Sequence, residues 1–311
     1  MRCVIVFAVA VSLIAEDPKF DVQSRLVLVP VTVLDAKGRS IDGLDASDFV
    51  LLDNGRPLTA AVDTFTTGVA PIALVIAVQS AGISAAVLEK VRKIGAMIQP
   101  LITGERGCAA LVSFDERVRW LQDCTGDQDA LTRAFQKLEP GEEKKAVMLD
   151  AAQEVIERLR KRPKVRRVLL LISESRDRGS ETSLKGAVIA AQTAGVIVYA
   201  ATYSAMKTAF TTKTPQTDSP PMDILGGIGE LVRLGKTKTT EVLTSSTGGT
   251  TLPFTRQKGL ENAIEKLGAE LHTQYVLSFT PETSDPGYHR IEVRVARRGE
   301  FVLRARPGYW R

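Results

Sequence analysis

The residues best placed to do chemistry in this chain are Gln79, Ser80 and Ser84, which follow the apolar run Ile72 to Val78. A continuous β-branched run bounded by Pro71 and Gly82 predicts a parallel strand covered on both faces. The loop after such a strand is where open α/β sheets usually bind ligands. Here it offers a carboxamide, hydroxyls and methyls but no acid, so it would hold a hard divalent cation poorly. Glu174, Arg176, Asp177 and Arg178 follow a second short apolar run, Val168 to Ile172, while Lys144 and Lys145 precede a helical pattern.

Enzyme signatures are missing. There is no nucleophile elbow, P-loop, dinucleotide fingerprint or His-Glu-x-x-His. Two histidines, His272 and His289, leave little material for a triad or zinc centre, and both are expected to be structural. A hydrolase reading would require Ser80, Asp150 and a histidine in one cleft. Asp150 fits better as an acid in the first turn of a helix, favoured by the dipole. Asp42, Asp45 and Asp48 match no EF-hand spacing and read as turn and cap residues. Gly248-Gly249 precedes a strand, not a helix, and reads as a turn.

The chain has 311 residues, enough for about two domains. Its 41 Lys and Arg against 36 Asp and Glu leave a charge of +5, too mild to imply nucleic acid. The densest basic run comprises Arg158, Arg160, Lys161, Arg162, Lys164, Arg166 and Arg167. It reads either as a helix end complementing the dipole with a solvated loop, or as contact with an anionic surface. Met1-Arg2-Cys3 followed by apolar Val4 to Ile14 reads as a signal peptide over 1–15, implying export to periplasm or exterior.

Alternating strands and helices over 70–273 predict a doubly wound, mostly parallel α/β sheet of Rossmann-like form. Ala109 to Phe114 and Val118 to Gln122, joined at Asp115-Glu116-Arg117, supply its one antiparallel edge strand. Pairing Phe114 with Val118 in a regular ladder sets Cys108 opposite Cys124, and a disulfide there is geometrically feasible. Its alternative is a pair of buried thiols. Helices are expected at Ser84–Met97, with Ser84 as N-cap, near 127–138 and 146–160, at Glu181–Ala194, near 223–234 and 239–246, and at 257–273. Residues 205–222, rich in Thr, Ser, Lys and Pro, read as a surface loop. Segments 20–66 and 274–311 are β-patterned, with a hairpin at Asp53-Asn54-Gly55, and are expected to pair as a small β module from both termini.

Four stretches carry a family resemblance: "SIDGLDASDFVLLDNGRPL", "ALVSFDERVRWLQ", "VLLLISESRD" with "AGVIVYAATY", and "AELHTQYVLSFTP…YHRIEVRV…LRARPGYW". Their order and spacing resemble the von Willebrand factor type A domain and the bacterial family of secreted proteins related to it. Many type A domains hold magnesium at a metal-ion-dependent adhesion site built from Asp-x-Ser-x-Ser, a Thr and a later Asp. Carried over by position, the resemblance puts these ligands at Ala77, Gln79 and Ala81, at Ala146, and at Glu174. One carboxylate and one weak amide oxygen remain, and Lys144 and Lys145 add positive charge. The resemblance therefore implies a degenerate, metal-free site and no cofactor. It also implies a non-enzymatic interaction module for an unidentified protein or cell-envelope ligand. The candidate face is Gln79, Ser80, Ser84, Lys144, Lys145, Glu174, Arg176 and Arg178. The alternative is a metal-dependent adhesion module with a rearranged site of Ser80, Ser84, Glu174 and Asp177.

Overall fold

The computed structural model describes residues 26–59, 61–63, 70–81, 84–142, 145–204, 228–281 and 285–311, with backbone alone for 61–63 and 228–237. The expected leader at 1–15, the loop at 205–222, the helical segment at 223–227 and Lys144 lie outside the described residues.

Fourteen strands are described. The first four are β1 (Val27–Leu34), β2 (Phe49–Asp53), β3 (Arg56–Leu58) and β4 (Ala61–Asp63). The α/β part runs through β5 (Ile72–Gln79), β6 (Cys108–Phe114), β7 (Val118–Thr125), β8 (Arg166–Ser173), β9 (Val196–Thr202) and β10 (Thr251–Pro253). The last four are β11 (Tyr275–Phe279), β12 (Tyr288–Val295), β13 (Val302–Ala305) and β14 (Gly308–Trp310). Helices are α1 (Ala85–Arg92), α2 (Gly95–Ile98), α3 (Gln128–Gln136), α4 (Met148–Arg160), α5 (Leu184–Ala194), α6 (Ile228–Thr247) and α7 (Gln257–Thr273).

The central sheet has the order β10-β9-β8-β5-β6-β7, parallel throughout except for the β6–β7 hairpin. From β5 the chain winds first toward β7 and then, after returning to β8, toward β10. The switch point therefore lies between β5 and β8, where open α/β sheets take ligands. Alternate residues of β5 feed two cores. Leu74, Ile76 and Val78 pack with α1, α2, α3 and α7; Ala73, Val75 and Ala77 pack with α4 and α5. The expected doubly wound architecture is what forms.

Both chain ends contribute to two smaller antiparallel sheets, β13-β1-β11-β4 and β14-β12-β2-β3. Val29, Val31, Leu51, Leu277, Ile291 and Tyr309 share their core. The β2–β3 turn carries Asn54 and Gly55 at φ 48° and 81°, the left-handed pair a two-residue hairpin favours. Strand β14 was not anticipated; three residues held by pairing with β12 leave no periodic signal.

Three local expectations are corrected. The helix expected over Ser84–Met97 breaks at Lys93-Ile94 into α1 and α2, with a π turn at Gln99–Thr103 beyond. Gly95 there presses on Phe135, where an added Cβ would come within 3.0 Å of the ring. Ser84 holds the N-cap position without its side chain capping. In the edge hairpin, Phe114 pairs with Val118 and Val112 with Trp120 as expected, but Leu111 then faces Gln122 and Ala109 faces Thr125. Two bulges thus insert extra residues into β7, and Cys108 and Cys124 become a diagonal pair. Their Cα atoms lie 5.3 Å apart and the disulfide forms. No helix among the described residues is long and apolar enough to cross a membrane.

Candidate functional site

The carboxyl ends of β5, β8 and β9 make the upper edge of the central sheet. Gln79 closes β5 and is 1% exposed. Its Oε1 accepts the Glu174 NH at 3.0 Å, which joins β5 to the end of β8 and fixes the carboxamide. The Nε2 atom, thereby turned the other way, is buried with no hydrogen-bond partner. Ser80, also 1% exposed, is held by its backbone. Its NH donates to the Phe114 carbonyl at 2.8 Å and its carbonyl accepts the Gly141 NH at 2.6 Å. Its Oγ is buried and unpartnered. The Ser84 hydroxyl instead accepts from the Tyr203 hydroxyl at 2.8 Å, which is why it does not cap α1. Burial raises the Tyr203 pKa well above its ordinary value, so this donor stays protonated.

Acids at this edge are committed elsewhere. The Asp177 carboxylate accepts the Leu149 NH at 3.1 Å and the Ser180 hydroxyl at 2.5 Å. Ser180 Oγ accepts the Leu149 and Asp150 amides at 3.0 and 3.2 Å. The N-cap position of helix α4 is Val147, which has no capping side chain, so this second loop caps it from across the edge. Asp150 answers by accepting the Glu181 and Thr182 amides at 3.1 and 2.8 Å. Its role is thus to hold a loop, in addition to the dipole contact expected of it. Glu174 pairs with Arg178 at 3.1 Å. Asp115, expected only as part of the hairpin joint, is 1% exposed. Burial opposes its charge, yet the Arg119 guanidinium at 2.7 Å and the Arg117 NH at 3.0 Å prevail and lower its pKa. Gly141 lies against this carboxylate with no room for a Cβ.

Ala146 and Arg178 exchange paired backbone hydrogen bonds at 3.1 and 3.0 Å, as Gly141 does singly with the Ser80 carbonyl. Lys145 and Arg176 are exposed and form no ion pair among the described residues. The side chains of Ala77, Ala81 and Ala146 are buried in the α4-side core. No cluster of three or more His, Cys, Asp or Glu residues able to hold a metal occurs among the described residues. Of the expected face, Lys145, Arg176 and Arg178 are exposed and Glu174 is half-buried, whereas Gln79, Ser80 and Ser84 are buried beneath the edge. Thr240, whose NH donates to the Ser175 carbonyl at 3.2 Å and whose Oγ1 is buried without a partner, was missed. Its position beyond the kink at Lys238 leaves no sequence signal.

Other candidates lie apart. His272 contacts the Leu101 carbonyl at 3.2 Å, and His289 stacks on Tyr309 with Asp53 Oδ1 at 3.3 Å. Neither joins Ser80 or Asp150. In the basic run, Arg158 lies over the Trp120 ring and pairs with Asp123 and Glu154, and Arg160 pairs with Glu157. Arg166 donates to the Leu271 carbonyl and Gln274, while Arg167 donates to the carbonyls of Arg162 and Ala194. Arg162 lies 3.6 Å from Cys108 Sγ. The dipole-and-loop reading describes these arginines better than a free anion surface.

Compared by sequence, the chain matches no protein-family model and no curated protein. By structure it is similar to the conserved hypothetical protein BatB from Bacteroides thetaiotaomicron, at 13% identity and TM-score 0.46 over 63% of this chain and 96% of that one. The vWF domain of the type V pili tip protein Mfa5 from Porphyromonas gingivalis is similar at 11% identity and TM-score 0.45, over 64% of this chain and 94% of that one. A von Willebrand factor type A protein from Catenulispora acidiphila is similar at 11% identity and TM-score 0.45, over 94% of this chain and 75% of that one. With its doubly wound strand order, single antiparallel edge strand and helices on both faces, the six-stranded body is a Rossmann-like sheet whose topology fits the von Willebrand factor type A fold.

Proposed function

We propose that this chain is an exported, non-enzymatic interaction module that captures a protein or cell-envelope ligand at the upper edge without a divalent ion. In this reading residues 1–15 are a leader, 70–273 form the binding domain, and 20–66 with 274–311 form a supporting β module. The observation that carries it is the state of the oxygens at the switch point. Three positions where a type A domain places ligands are buried alanine methyls. The fourth, Gln79, has its only oxygen engaged by the Glu174 NH, and Glu174 itself faces Arg178. A magnesium ion needs about six hard oxygen donors in near-octahedral array, and this donor set does not fit one.

The rearranged alternative finds less support. Ser84 Oγ is taken by Tyr203, and Asp177 caps α4. The test is capture of partners from the source cell's envelope fraction by the full chain, with and without chelator. This reading expects the same partners in both arms; loss of every partner in chelator would overturn it.

A further inference from the structure

We propose that the Cys108–Cys124 bridge is a site of thiol–disulfide exchange, at which a dithiol reductant attacks Cys124 Sγ and Cys108 leaves as a thiolate beside Arg162. The site lies at the lower end of the edge hairpin and is independent of what the upper edge binds.

The bridge is reachable. Both cysteines are half-buried, on the outermost strand pair of the central sheet. Cys124 falls in the second bulge of β7, between Gln122, which faces Leu111, and Thr125, which faces Ala109. Backbone pairing thus holds the hairpin on either side of it, and its sulfur is released without opening the ladder. Buried structural cysteines are inert, whereas exchange-active ones are accessible and sit beside a cation.

Charge distinguishes the two sulfurs. Arg162 Nη1 lies 3.6 Å from Cys108 Sγ. Other arginines of the basic run are committed, Arg158 and Arg160 to carboxylates, Arg166 and Arg167 to carbonyls. Arg162 has no carboxylate partner among the described residues. Its backbone is anchored, the NH donating to the Leu159 carbonyl at 3.0 Å and the carbonyl accepting from Arg167 at 3.0 and 2.7 Å. Cys124 instead follows Asp123, whose exposed carboxylate pairs with Arg158 at 3.2 Å. Exposed Glu105 and Arg106, just before Cys108, are of opposite sign and offset each other. A nearby cation favours a thiolate and an anion disfavours it, and the sulfur that bears charge better leaves faster. Cys108 is therefore the leaving group and Cys124 the sulfur attacked. In the first step the reductant's thiolate forms a bond to Cys124 Sγ, and the electron pair of the old bond goes to Cys108. The reductant's second thiol then loses its proton and attacks its own sulfur in the mixed disulfide. Cys124 leaves with that electron pair and takes up a proton. The protein has gained two electrons and the dithiol has become a disulfide.

The test exposes the oxidised full chain to limiting glutathione, a monothiol that stops at the mixed disulfide, followed by acid quench, alkylation and tryptic mapping. Cleavage after Arg117 and Arg119 puts the two cysteines on separate peptides. The adduct is expected on Cys124. In parallel, the rate of reduction by dithiothreitol at low salt should fall about threefold or more in Arg162→Gln and recover in Arg162→Lys. The gap between wild type and Arg162→Gln should close in high salt, which a purely structural role would not produce. Melting temperatures of the oxidised variants should match wild type. An adduct on Cys108, or a reduction rate indifferent to Arg162→Gln, overturns the inference. So does a bridge that yields to dithiothreitol only in denaturant.

Discussion

The upper edge of the central sheet and its junction with the β module are both buried and polar, yet they are finished differently. At the junction, side chains of each part reach into the other. Tyr199 of β9 donates to Glu270 of α7 at 2.7 Å, and Glu270 also takes Arg304 of β13 and Thr32 of β1. Gln274 bonds Thr32 and Tyr199 at 3.3 and 3.2 Å and accepts from Arg166. Arg306, 4% exposed, donates to the carbonyls of Gly308, Leu28 and Gln192. Burial lowers its pKa to about 10, so it remains charged at neutral pH. Orphan atoms there, such as Arg166 Nε, Arg304 Nε and Gln192 Oε1, belong to groups already held by other atoms, with the Ser246 hydroxyl the exception. At the upper edge Ser80 and Thr240 have hydroxyls with no partner at all, and Gln79 a bare NH2. A completed network fixes two parts as one unit; an incomplete one is suited to accept a third party.

Breaking the junction should therefore cost far more than trimming the edge. Arg306→Met leaves three carbonyls without their donor and should lower unfolding free energy by about 3 kcal/mol or more in denaturant titration. A loss under about 1 kcal/mol would deny the junction its role. Replacing both Cys108 and Cys124 with alanine should cost about 3 kcal/mol in the same titration, through the freed loop of 16 residues. Arg119→Ala sharpens the comparison within the edge. The Asp115 pKa is lowered in the fold, so its stabilisation is complete above the ordinary value of 3.8 and fades as pH falls through the lowered one. The variant should lose roughly 1–2 kcal/mol at neutral pH and converge on wild type in acid, as read by unfolding at several pH values. Smallest of all, Thr240→Val should change stability by less than about 0.5 kcal/mol, against a measurable loss for Tyr199→Phe at the junction.

Much of this architecture was readable from apolar runs. The buried strand at Ile72, the edge hairpin and the β-patterned termini needed only periodicity and turn residues, because burial on two faces writes itself into the sequence. Bulges in β7 were not readable. One inserted residue changes the register but not the composition, so the cysteine pairing came out right through a regular ladder that does not form. Long-range side-chain to backbone bonds were equally silent: nothing near Asp177 or Asp150 announces that each serves a loop about 30 residues away. Residue types at the edge were legible, including the missing acid at Ala77 and the missing hydroxyl at Ala81. Which atoms are spent and which are left over required the fold.

Calorimetric titration of the chelator-stripped full chain with magnesium, manganese, calcium and zinc bears on the central claim most directly. No stoichiometric heat is predicted with any of them, and the Gln79 amide resonances should stay in place. One saturable site per chain, with those resonances displaced, would contradict an upper edge that works without a metal.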